Sequence, residues 1–286
     1  MRLLDEPVHA VHVGVGPVVA SFSADGERLL VDSVVPGGAD YTKRFGALSG
    51  TGSTPLLGEL PGDSWLALGA PKLGQTAKEL YQQLAGAFGG AAIAQQLRSQ
   101  LGLDLEQDVF SWIGDVAFFV RGTTVGSVDG GAVIEVTDDE RAKTAFGKLV
   151  GIAQSRGGVK AKPVAIRGAE TAFAVTQPGA PKPVVAARAQ GRVVIAYGEA
   201  AAEAALNPDE KLSDSPAYGD AKALLGGDID PGFLLSMPEV VQLVGSSSPD
   251  EDFAKAKPYL DAFTIVAAGG KVDGDTARSK FAAGLK

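Results

Sequence analysis

The sequence predicts an α+β fold: a mainly antiparallel, twisted sheet with its helices packed chiefly on one face. Three observations carry that expectation. Strand-like and helix-like segments alternate, but without the regular βαβ period that a parallel sheet needs. Short apolar runs are joined repeatedly by glycine-containing turns, as hairpins are. The stretch from Leu101 to Val136 holds the sharpest local signal. Within it Leu105, Val109, Trp112 and Ile113 share one helical face. Gly114 stands where that helix should stop in a left-handed residue. Val116 to Val120 is then a β-favouring run, too short for a buried helix.

The remaining elements follow in order. Val18, Ala20 and Phe22 alternate, Asp25-Gly26 turns the chain, and Leu29, Val31, Ser33 and Val35 line one face of the returning strand. Residues 36 to 58 are rich in Gly, Ser, Thr and Pro and read as a linker with one helical turn near Tyr41 to Leu48. Leu60-Pro61-Gly62-Asp63 punctuates the approach to a strand at Ser64 to Gly69. Pro71 opens a helix whose stripe is Leu73, Ala77, Leu80, Leu84 and Phe88, and a shorter helix through Ile93, Leu97 and Leu101 follows.

Beyond Val136, Thr137-Asp138-Asp139-Glu140 caps a helix that buries Ala142, Ala145, Phe146, Leu149 and Ile152. Strands are expected at Val159 to Ile166, Thr171 to Thr176, Val184 to Ala189 and Val193 to Tyr197, with prolines near Val164 and at Lys182-Pro183 marking edges. Short helices span Glu199 to Leu206 and Pro216 to Leu225. A strand at Phe233 to Met237 then meets Pro238, so a strand-proline-helix unit occurs twice. The closing hairpin turns at Asp273-Gly274-Asp275, in the place that Asp25-Gly26-Glu27 holds in the first. Residues 1–50 are therefore expected to be a hairpin and the start of a linker, the tail of a preceding copy. Residues 51–286 form the α+β core domain.

Composition narrows the function classes. At 286 residues, 45% of them hydrophobic and 21% charged, the chain can bury a substantial core as one large domain or two small ones. A net charge of −8 argues against an electrostatic nucleic-acid binder and against docking on anionic lipid heads. No cysteine is present, which removes disulfides, thiolate chemistry and cysteine-ligated metal together. Asp5 and Glu6 interrupt the N-terminus before an export signal develops, and no apolar run reaches the roughly 18 residues of a membrane span.

Candidate chemistry is sparse. Asp104, Glu106 and Asp108, with Asp115 nearby, could offer carboxylates to a metal, but Asp104 reads as a helix cap with Glu106 and Asp108 facing water on the first turn. His9 and His12, the only histidines, fall on opposite faces of a strand and so cannot easily share a metal or a substrate. Gly14-Val15-Gly16 lacks the third glycine and the following helix of a dinucleotide loop. No P-loop, GxSxG or HExxH pattern occurs. The expectation is no catalytic residue, no cofactor and no metal. Trp65, Trp112, Phe118, Phe119 and Phe146 are the candidates for lining an apolar pocket, set against the plainer reading that they are core.

Several short runs carry a resemblance. They are Leu60-Pro61-Gly62-Asp63-Ser64-Trp65-Leu66-Ala67-Leu68-Gly69, Gly102-Leu103-Asp104-Leu105-Glu106-Gln107-Asp108-Val109, Trp112-Ile113-Gly114-Asp115-Val116-Ala117, Ala132-Val133-Ile134-Glu135-Val136-Thr137-Asp138, Gly191-Arg192-Val193-Val194-Ile195-Ala196 and Ser213-Asp214-Ser215-Pro216-Ala217-Tyr218. From Leu60 onward the chain resembles the bacterial domain-of-unknown-function 3352 family. The resemblance implies an extracytoplasmic address, with membrane attachment only through an anchor that this chain lacks, and two related halves in the longer family architecture. It carries over no functional residue. The leading expectation is a non-enzymatic binding or scaffold domain of a cell-envelope protein, its partner an unknown protein or envelope component. The alternatives are a carrier of a small apolar ligand in a sheet-helix cleft and a carboxylate-dependent hydrolase. An open apolar cleft would favour the carrier, and converging buried acids the hydrolase.

Overall fold

The computed structural model describes residues 19–36, 53–88, 95, 98–100, 102–155, 160–247 and 250–286. Its elements begin with β1 (Val19–Ala24), β2 (Arg28–Pro36), α1 (Pro55–Gly58), β3 (Leu66–Ala70) and α2 (Leu73–Phe88). A π-helix (Leu105–Phe110), β4 (Ile113–Arg121), β5 (Asp129–Val136), α3 (Asp139–Ser155) and β6 (Lys160–Pro163) follow. Then come β7 (Thr171–Thr176), β8 (Val184–Ala189), β9 (Arg192–Tyr197), α4 (Glu199–Leu206) and α5 (Pro216–Leu224). The chain closes with β10 (Pro231–Ser236), α6 (Met237–Ser247), α7 (Glu251–Leu260), β11 (Phe263–Asp273) and β12 (Thr276–Leu285). Among the described residues these strands form a twelve-stranded antiparallel sheet in the order β1-β2-β12-β11-β10-β3-β4-β5-β9-β8-β7-β6, which is an α+β fold. The chain divides into two compact units. One comprises Met1–Ala70, Phe118–Val128 and Glu210–Lys286; the other comprises Pro71–Ala117 and Asp129–Asp209.

In the first unit, β1 and β2 form the hairpin that their alternation predicts, with Phe22 opposite Val31. β2 then pairs with β12 from Pro36↔Thr276 to Arg28↔Gly284, so the hairpin continues the sheet of this unit. Asp32 and Arg278 form an ion pair across that boundary. Two helices of the unit start alike. Thr54 caps α1 and Ser215 caps α5, each through its side-chain oxygen, each followed by proline and each buried. At the other end of α5, the buried Lys280 donates to the Leu225 carbonyl at 2.6 Å and to Asp228 at 3.2 Å. A cation is favourable there against the helix dipole. Hydrogen bonds from Lys271 and Lys280 hold the Asp228 carboxyl down at about 2.

The second unit is built on β5-β9-β8-β7-β6, in strict antiparallel register. Alternation along these strands gives the sheet two apolar faces. Val133, Val185, Ala187 and Val194 lie on one face and are fully buried where α4 packs. The opposite face meets α3, with Phe146 against Phe173 at a centroid distance of 6.1 Å. The helices expected chiefly on one face therefore cover both, because the strands are apolar on both sides. At the free edge, β6 carries Lys160, Lys162 and Pro163, a protected edge of the kind expected there. Pro183, also expected at an edge, instead precedes an interior strand.

Gly114 differs from expectation. It lies within β4 and does not end a helix in a left-handed conformation. A Cβ there would stand 3.0 Å from Glu135 Oε2 and 3.0 Å from the Thr137 methyl, so the residue serves close cross-strand packing. The helix before it is a π-helix that ends at Phe110, and Trp112 occupies the turn into the strand. Ile93, Leu97 and Leu101, Gly157-Gly158, the helical turn at 41–48 and both histidines lie outside the described residues.

Candidate apolar cleft

The face of the second unit that meets α3 is only partly covered. Phe146 is buried, yet Leu149, one turn further along α3, is 43% exposed. Beneath it lies a cleft of about 230 Å³. Its floor is the sheet: Ile134 from β5, Val193 and Ile195 from β9, Val184 and Ala186 from β8, Phe173 and Val175 from β7, and Ala161 from β6. The register explains the grouping. Ile134 faces Val193, Ile195 faces Ala186, Ala186 faces Phe173, and Val175 faces both Val184 and Ala161. One wall is α3, through Phe146, Leu149 and Val150; the other is Val109, Trp112 and Ile113. Every lining side chain is hydrocarbon or indole. Ile195 is 43% exposed, so the floor is open to solvent.

The Trp112 wall is held by a chain of polar contacts. Asp104 caps the π-helix by accepting from the backbone N–H groups of Glu106 and Gln107. Asp108 returns the contact, its Oδ2 accepting from Asp104 N at 2.8 Å. The Asp108 carbonyl accepts from Trp112 Nε1 at 2.8 Å, which leaves the ring 4% exposed with its single polar atom satisfied. Behind the π-helix, α2 comes so close that a Cβ on Gly74 would stand 2.2 Å from the Ile113 carbonyl oxygen. Tyr81 also packs on Phe110 at 5.9 Å.

The acids expected to face water do so only in part. Asp108 turns inward and binds Lys148 Nζ of α3 at 2.7 Å. Burial would raise its carboxyl, but the hydrogen bonds from Lys148 and Asp104 N and the lysine charge hold it below the usual carboxylate value. The inward turn has a cause: the carboxylate closes the cap of the π-helix and finds a counter-ion on the facing helix. Asp115 instead accepts from Lys72 N at 2.8 Å. Among the described residues no group of three His, Asp or Glu side chains is arranged to hold a metal ion.

Of the five aromatics singled out from sequence, Trp112 and Phe146 meet in the cleft. Trp65, Phe118 and Phe119 belong to the first unit. There Trp65 Nε1 donates to the Gly122 carbonyl at 2.8 Å, Phe118 is 37% exposed and Phe119 is fully buried. Sequence reasoning missed the sheet floor, although its signal was present: β8 and β9 are apolar at successive positions, which marks two covered faces. The first unit has a cavity of its own, about 310 Å³, at the junction of α6, α7 and the start of β11. Its rim is mixed, with Lys257 bonded to Asp261.

A family model described as "Protein of unknown function (DUF3352)" matches residues 16–279. No curated protein matches, and no solved structure does.

Proposed function

The chain belongs to the DUF3352 family, and we propose that it is a non-enzymatic binding domain that holds an apolar ligand in the cleft beneath α3. The observation that carries the proposal is the lining: hydrocarbon on every side, with the one indole N–H already given to the Asp108 carbonyl. Such a surface can hold a ligand by excluding water, but it offers no nucleophile, acid or base to transform one. At about 230 Å³ the cleft is small for a whole lipid or a cofactor. It suits one aliphatic chain lying across the strands, its polar end left in solvent. An extracytoplasmic address in a cell-envelope protein, which the family resemblance implies, accords with this reading, since acyl chains are plentiful there.

The test is a titration of the full chain with cis-parinaric acid, a fluorescent fatty acid that accepts energy from tryptophan. Saturable uptake with quenching of Trp112 is expected. Ile195→Glu puts a charge on the half-exposed floor at little cost to the core, and should abolish uptake while leaving the thermal melt in place. No uptake by the wild-type chain, or undiminished uptake by Ile195→Glu, overturns the proposal.

A further inference from the structure

We propose that the middle segment of α3, from Gly147 to Gly151, is a lid over this cleft and that the Lys148–Asp108 ion pair is its latch. The inference rests on the apolar-cleft reading and adds to it how a ligand gains access. Three observations carry it.

The first is the unequal footing of the two walls. The π-helix wall is pinned by the Asp104 cap, by the close approach of Gly74 and by Tyr81 on Phe110. The α3 wall is anchored by Phe146 on Phe173 and then loses its burial, Leu149 being nearly half exposed although it lines the cleft.

The second is composition. Gly147 and Gly151 bracket Lys148, Leu149 and Val150 inside a continuous helix, and a Cβ added at either would meet nothing within 4 Å. Packing does not require these glycines. Glycine inside a helix weakens it, so two of them one turn apart make this segment the easiest part of α3 to bend or fray.

The third is the placement of the ion pair. Lys148 directly precedes the lining residues Leu149 and Val150, and Asp108 directly precedes the lining residue Val109. The bond of 2.7 Å between them therefore joins the two lips of the cleft. Lys148 is 43% exposed, so water competes for the contact and salt screens it. A latch of that kind holds the lid without sealing it.

The experiment measures association and dissociation of cis-parinaric acid by stopped flow in the full chain. A Trp65→Phe background leaves Trp112 as the one energy donor, since the chain has two tryptophans. Lys148→Met keeps the aliphatic stem, and Asp108→Asn keeps an acceptor for Asp104 N. Each should speed both rates roughly two- to fivefold, the scale of a partly exposed ion pair, with the dissociation constant nearly unchanged. The double variant should be no faster than either single one, because both remove the same contact. Added salt should speed the wild-type chain and leave these variants unmoved. Gly147→Ala with Gly151→Ala stiffens the helix and should slow both rates by about threefold or more. Wild-type rates in the charge variants, or no slowing in the alanine variant, overturn the latch and lid while the cleft reading stands. Absence of uptake in every chain, wild type included, removes both.

Discussion

Trp112 shows how a residue can be core and site together. Its ring is almost wholly buried and its N–H is satisfied by the Asp108 carbonyl, yet one face borders the cleft. Trp112→Ala should therefore cost about 3–5 kcal/mol, a large part of what holds a domain together. Trp112→Phe keeps most of the packing but leaves the buried Asp108 carbonyl without its donor, and should cost about 1–3 kcal/mol. Urea denaturation followed by circular dichroism separates the two, and a near-neutral alanine variant would mean that the ring is merely rim. Asp228 makes a different statement at the same scale. Its carboxyl is held down to about 2 by Lys271 and Lys280, against an ordinary value of 3.8. A depressed folded value stabilises the fold fully above the ordinary value and ceases to do so as pH falls toward 2. Asp228→Asn should accordingly be less stable at neutral pH and lose less stability on acidification between pH 4 and 2, read as urea midpoints across that range.

At the scale of elements, the strands were the legible part. β7 and β8 begin and end where β-favouring residues and turns place them, and β9 begins one residue early, because period-two patterning and hairpin glycines are local signals. Legibility failed where one element is shaped by another. Leu105 to Phe110 carries a helical stripe but winds as a π-helix, closed by the Asp104–Asp108 contact and with α2 close behind it at Gly74. Gly114 has the composition of a helix stop and the function of a gap between strands. The candidate site was half legible for the same reason. Trp112 and Phe146 are conspicuous as residues, whereas Ala161, Val184, Ala186 and Ile195 become a floor only once the register is known. Asp108 reads from the sequence as a solvated acid because its counter-ion, Lys148, lies forty positions away.

For the whole molecule, the sheet bears on which residues make up one folding unit. The sequence suggests that the first hairpin belongs to a preceding copy and that the core begins after residue 50. The sheet supplies a counterargument, since β2 pairs with β12 over nine positions, from Thr276↔Pro36 to Gly284↔Arg28, and adds the Asp32–Arg278 ion pair. Without the hairpin, β12 would present unpaired backbone along its length, beside Phe281, which is already half exposed. An open apolar edge of that kind recruits other chains. Deleting residues 1–36 should therefore lower the thermal midpoint and produce concentration-dependent association, measured by calorimetry and by light scattering after gel filtration. A monomer melting cooperatively at the wild-type midpoint would instead show that the hairpin is dispensable, as the closing strands of a neighbouring copy would be. Cleft occupancy by cis-parinaric acid in the same deletion adds a second readout. All the residues that line the cleft belong to the other compact unit, so retained uptake beside a weakened melt would show that the binding unit tolerates loss of the hairpin.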